Sequence, residues 1–181
     1  MGTTTAIVLI LILAAAAAVA YVYLRKRRSE QLKSRFGPEY ERVLLETGNR
    51  GRAERELEKR AHRTEKYQIR HLSPEDRETL SQDWRRTQAL FVDDPPVAIR
   101  EADRLICDAM RRIGYPVADF EGRTEDLSVD HPHVVRNYRA AHDIAKNNED
   151  GKATTEDLRR AMVYYRELFE ELIEVQPAGR H

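Results

Sequence analysis

Nineteen consecutive residues, Ala6 to Leu24, carry neither a charge nor a proline, and the next four, Arg25, Lys26, Arg27 and Arg28, are all cationic. As an α-helix rising about 1.5 Å per residue, the run is roughly 28 Å long, close to the ~30 Å hydrocarbon core of a bilayer. Every backbone N–H and C=O inside lipid must be satisfied within the segment, and a continuous helix of Ile, Leu, Val and Ala does this. Tyr21 and Tyr23 stand at one end of the run, where a ring with a polar tip suits the headgroup layer. The pattern predicts a transmembrane helix over residues 6–24, preceded by a short tail over residues 1–5.

The order of apolar run and charges sets the expected orientation. A cleavable signal normally places its positive charges before the apolar stretch, whereas Met1 to Thr5 carry no side-chain charge. Cations that follow the run resist translocation, so residues 25 onward are expected in the cytoplasm and the tail outside the plasma membrane. Arg25, Lys26, Arg27 and Arg28 are then the candidate contacts to anionic lipid headgroups. A second reading stays open: the alanine run offers A-x-A-like sites, and cleavage there would make the chain an exported envelope protein. A buried helix of a soluble protein is disfavoured, because such helices rarely run this long without a polar face. Ala6 stands where myristoylation wants Ser or Thr, which discards the reading that a Met-Gly start invites.

A single cysteine, Cys107, permits no intramolecular disulfide and fits a reducing compartment; among Leu105, Ile106 and Met110 it reads as a small buried hydrophobe. The formal charge of zero conceals a gradient. Arg25 to Arg70 hold fifteen Lys and Arg against eight Glu, a net of +7, and the rest of the chain balances it. The basic half is nearest the expected membrane. A nucleic-acid surface is the weaker reading of the same half, since the positives alternate with Glu and few aromatics lie between them.

Beyond the anchor, Gly37–Pro38 and then Gly48, Asn49 and Gly51 punctuate the chain into short helices. Arg52 to Gln68 offers only Ala53, Leu57 and Ala61 as an apolar stripe, so residues 25–71 are expected as a solvated basic helical stalk. The heptads are not sustained, which leaves self-association open without predicting a coiled coil. From Ser73 four wider stripes follow: Leu80, Trp84, Thr87 and Phe91; Ile99 to Ile113; Val134, Tyr138, Ala141 and Ala145; and Leu158 to Leu172. No stretch alternates with period two, so the prediction is all-α: a transmembrane helix, a charged stalk, a four-helix-type bundle over residues 72–176 and a disordered tail over 177–181.

Polar chemistry concentrates in Asp126, Asp130, His131, His133, His142 and Asp143. On a helix starting near Pro132, His131 and His142 would lie about 16 Å apart along the axis, too far to share one zinc. No HxxxH or HExxH spacing is present. The expectation is that Asp130 caps the helix and His142 packs near the core, with a metal-binding or enzymatic domain around His131 as the alternative. Asp93 and Asp94, before Pro95 and Pro96, are expected to cap the next helix. No phosphate-binding loop, nucleophile elbow, dinucleotide fingerprint or CxxC occurs, so no catalytic residue, cofactor or metal ligand is assigned.

The stretches "WRRTQALFVDDPPVAIREAD", "MRRIGYP", "SVDHPHVVRNYRAAH" and "ATTEDLRRAMVYYRELFEEL" resemble the motifs of a family of uncharacterised bacterial single-pass membrane proteins with a helical C-terminal region. The resemblance covers most of the chain after about residue 35 and implies a bacterial origin and a plasma-membrane address. No activity is known for the family, so no functional residue is carried over. Ile113 departs from it, standing where a basic residue is more usual before Gly-Tyr-Pro. The combined expectation is a membrane-anchored cytoplasmic module for protein interaction or scaffolding. Its partners would be the lipid bilayer, a protein of unknown identity and, optionally, a second copy.

Overall fold

The computed structural model describes residues 2–117 and 119–174. The expected tail over 177–181 and the last two residues of the expected bundle segment lie outside the described residues. Among the described residues the chain is helical, with no strand: α1 (Gly2–Phe36), α2 (Pro38–Thr47), α3 (Arg50–Thr64), α4 (Pro74–Asp93), α5 (Pro95–Ile113), α6 (Phe120–Asp130), α7 (Pro132–Glu149) and α8 (Thr155–Glu174). The all-α reading with an apolar first helix holds. The chain divides into two compact units, Met1–Leu57 and Glu58–His181.

In the first unit, α1 continues through the cationic cluster for twelve residues beyond Leu24. It stops where Gly37 takes a positive φ of 48° and Pro38 starts α2. Residues 2–5, expected as a tail, are already helical. The narrow stripe of α3 is not solvated as expected: Ala53 and Leu57 are fully buried, together with Phe36, Tyr40 and Val43. Ser29, Leu32 and Phe36 form the matching stripe on α1. Three thin stripes, from the end of the long α1 and from the shorter α2 and α3, close a small core that none could close alone.

The second unit holds the larger core. All seven expected positions of α5, from Ile99 to Ile113, are buried, as are the seven of α8, from Leu158 to Leu172. Trp84 of α4 stacks on Phe169 of α8, centroids 4.6 Å apart and planes 13° apart, and Tyr138 of α7 meets Tyr165 edge-on at 5.9 Å. Each such side chain contributes roughly 1.5–3 kcal/mol by leaving water, against about 0.3–0.5 kcal/mol for an exposed i,i+4 ion pair, so the stripes rather than the surface charges set the packing.

The caps are local in origin. Ser73 Oγ accepts the Asp76 N–H at 2.9 Å with Pro74 in the first turn, and of the two expected caps Asp94 accepts the Val97 N–H at 3.1 Å, while Asp93 is the last residue of α4. Thr154 and Asp157 cap α8 reciprocally, each accepting the other's N–H. The expected cap at Asp130 is a correction. Pro132 takes the first position of α7, which puts the cap at His131, while Asp130 still belongs to α6 and accepts a hydrogen bond from Tyr115 Oη at 2.9 Å. Between α3 and α4, Arg70 N and Nε donate to the carbonyls of Ile113 and Arg112, both at 2.8 Å, strapping the linker over the end of α5.

Candidate functional site

The apolar part of α1 is long and apolar enough to cross a membrane, and from Ile7 to Leu24 every residue is exposed. Its large side chains, from Ile7 to Leu13 and at Val19, Val22 and Leu24, are all more than half exposed. A core helix of a soluble protein would hide these side chains. Directly after them, Arg25, Lys26, Arg27 and Arg28 are exposed on the same unbroken helix. Successive residues are 100° apart, so four of them ring the helix at one level, as a collar over about 5 Å of its axis.

Immediately after the collar, Ser29 is fully buried. Its hydroxyl is 3.4 Å from Tyr40 Oη and accepts from Arg50 Nη2; Tyr40 Oη donates to Glu54 Oε1 at 3.1 Å, and Arg50 Nε donates to the same oxygen at 2.9 Å. The network ties the first turn of α3 to α1 just past the cations. Although burial opposes it, the donors around Glu54 hold its carboxyl below the usual range.

The second unit contains three polar clusters. In the first, Asp103 accepts from Tyr138 Oη at 2.9 Å and from Arg123 Nη2 at 3.3 Å, while Arg123 Nε donates to Tyr138 Oη at 3.1 Å. Burial, then Asp103, pushes the Tyr138 phenol far up, and the same two influences raise the Cys107 thiol. Both are held in their neutral, unreactive forms, which fits the reading of Cys107 as packing. In the second, Arg63 donates to Asp126 Oδ1 at 2.8 Å and Glu125 Oε2 at 3.0 Å, and Tyr67 Oη donates to Asp126 Oδ2 at 3.1 Å. In the third, His131 Nδ1 lies 3.0 Å from Glu171 Oε1 and His133 Nε2 lies 3.5 Å from Glu171 Oε2. His142 is elsewhere, stacked on Phe120 with centroids 3.6 Å apart. The polar residues that are close in sequence are thus dispersed in space, Asp126 in the second cluster, His131 and His133 in the third, Asp130 on Tyr115 and His142 on Phe120, and among the described residues no group of three or more His, Cys, Asp or Glu could hold a metal ion.

Burial pulls the His142 imidazole below its ordinary value. A base held neutral in the folded state binds fewer protons than the unfolded chain as pH falls through about 6.5, so acidification destabilises the fold across that range. Replacement His142→Phe keeps the stack on Phe120 and removes the titration. Thermal melts between neutral and mildly acidic pH should therefore fall less steeply for the variant; parallel profiles would exclude this role.

A shallow groove between α4 and α8 is lined by Gln88, Phe91, Arg159, Met162, Val163 and Arg166. It is open, and its lining is more apolar than polar. Of its lining, Phe91 and Met162 lie on the sequence stripes and Val163 lies outside them. Neither the buried Asp103–Arg123–Tyr138 cluster nor the Ser29–Tyr40–Arg50–Glu54 network was anticipated, since their members come from helices far apart in sequence. Comparisons with protein-family models, curated proteins and solved structures found no match to this chain.

Proposed function

We propose that the chain is a single-pass plasma-membrane protein, N-terminal end outside, whose cytoplasmic helical bundle is a protein-interaction or scaffolding module. The observation that carries this reading is α1 itself: an exposed apolar span of membrane length running without a break into an exposed collar of four cations and then into folded helices. Translocating such a collar is unfavourable, and each Lys or Arg near an anionic leaflet contributes on the order of 1 kcal/mol, so the collar favours the cytoplasmic side. A bacterial origin, implied by the sequence resemblance, belongs to the same reading. Three polar clusters join helices of the second unit through side-chain hydrogen bonds, and the open recess between α4 and α8 suits a macromolecular partner better than a small substrate.

The test joins alkaline phosphatase to the C-terminus in a bacterial host. The fusion is expected to stay inactive, and replacing Arg25, Lys26, Arg27 and Arg28 by Glu should switch much of it on. An active unmodified fusion would sink the orientation. For the interaction module, a photo-crosslinking residue at Val163 should yield one discrete adduct in intact cells, and a ladder identical to that from exposed Arg86 would count against it.

A further inference from the structure

We infer that the α2–α3 corner, Leu45 to Arg52, is a second membrane-contact element that lies against the anionic headgroup layer beside the Arg25–Arg28 collar. This rests on the reading of α1 as a membrane anchor and adds to it a contact from a distant part of the chain.

The level of the corner follows from Ser29. That residue is five positions past Leu24, about 7 Å along the helix axis, and the interfacial layer on each side of a bilayer is about 5–8 Å deep. Ser29 is therefore at the outer edge of the headgroups when the apolar run fills the hydrocarbon. Arg50 donates to its hydroxyl, and Tyr40 bridges it to Glu54, so the first turn of α3 is fixed at that same level although twenty-one residues separate Arg50 from Ser29. The turn before it, with Gly48 at a positive φ of 60°, comes back to the membrane surface together with Arg50.

Charge and exposure at the corner match such a surface. Its one acid, Glu46, pairs with Arg42, and Glu54 just beyond it pairs with Arg50 at 2.9 Å. Arg52 is exposed and its guanidinium makes no ion pair among the described residues, while Arg50 remains about half exposed. Leu45, on the last turn of α2, is 83 % exposed, unlike its neighbour Val43 at 1 %. A lone exposed leucine needs no special explanation on a free surface, but here it sits beside an uncompensated arginine at headgroup depth. A cation for phosphate and an aliphatic side chain for the acyl boundary are the combination an interfacial contact uses. Because the corner is tethered to the bilayer by α1, lipid outcompetes nucleic acid or an acidic protein through local concentration.

The experiment uses the full chain with Cys107→Ala and Leu45→Cys, carrying a polarity-sensitive fluorophore, in nanodiscs of phosphatidylcholine alone or mixed with phosphatidylglycerol. In anionic discs the emission should shift to the blue and iodide quenching should fall several-fold relative to neutral discs. Arg52→Glu should restore quenching, while the same label at Arg86→Cys should be unaffected. A Leu45 label quenched equally in both discs, or untouched by Arg52→Glu, overturns the inference while leaving the anchor intact. A chain that fails to co-purify with either disc overturns the anchor reading and this inference with it.

Discussion

Gly114→Ala is expected to cost the bundle about 3 kcal/mol, read as a fall of roughly 10 °C in melting temperature, whereas Gly151→Ala should cost only about 1 kcal/mol. Both glycines have positive φ, 105° at Gly114 and 69° at Gly151, so both pay the steric cost of a side chain in that region. The difference lies in what surrounds them. A Cβ at Gly114 would fall 2.4 Å from the Gln68 carbonyl oxygen, a backbone atom, whereas a Cβ at Gly151 meets nothing within 4 Å. The Gln68 carbonyl cannot swing aside freely, because two residues later Arg70 is bonded through N and Nε to the last carbonyls of α5. Accommodating the methyl means lifting the strap and exposing those carbonyls, which adds lost hydrogen bonds to the clash. Equal losses for the two variants would show that backbone conformation alone matters and that the strap is loose.

The same position illustrates what a single sequence reveals. Gly114 followed by Pro116 announces the end of a helix, because both act through their own backbone geometry. Ser73–Pro74 and Asp94–Pro95 are legible for the same reason: a cap and the N–H that donates to it lie three residues apart. The close approach of Gln68 to Gly114 is invisible, since nothing local encodes it. The stripe of α3 fails in the same way. Ala53, Leu57 and Ala61 are too few to form a core alone, and the residues buried in the same unit as Ala53 and Leu57, namely Leu32, Phe36, Tyr40 and Val43, lie on two other helices, one of them the extension of the apolar first helix. Judged helix by helix, the segment looks solvated; judged as three helices, it has an interior. The His131 region is the converse case: residues near one another in sequence take separate partners, Asp126 on Arg63 of α3, Asp130 on Tyr115 and His131 on Glu171 of α8, and only the expected cap at Asp130 is displaced, to His131.

The Asp103 cluster is the clearest case of chemistry hidden by sequence distance, and its removal is the second large effect. Asp103→Ala is expected to destabilise the fold by about 3 kcal/mol, measured by urea unfolding, against about 1 kcal/mol for Tyr138→Phe. The asymmetry comes from which groups remain. Tyr138 is fully buried and Arg123 is 9 % exposed, so deleting the carboxylate leaves a phenol and a guanidinium in apolar surroundings without the acceptor they share. Deleting only the phenolic hydroxyl leaves Arg123 on Asp103 Oδ2 at 3.3 Å, and Asp103, with 29 % of its side chain exposed, keeps access to water. Arg123 also lies over the Phe120 ring at 5.7 Å, a contact that survives both changes and limits the loss. In the double variant the two losses should sum to clearly more than the measured cost, because Tyr138 has no acceptor to lose once Asp103 is gone. Strict additivity would mean that the three side chains act independently and that α5, α6 and α7 are held by apolar packing alone.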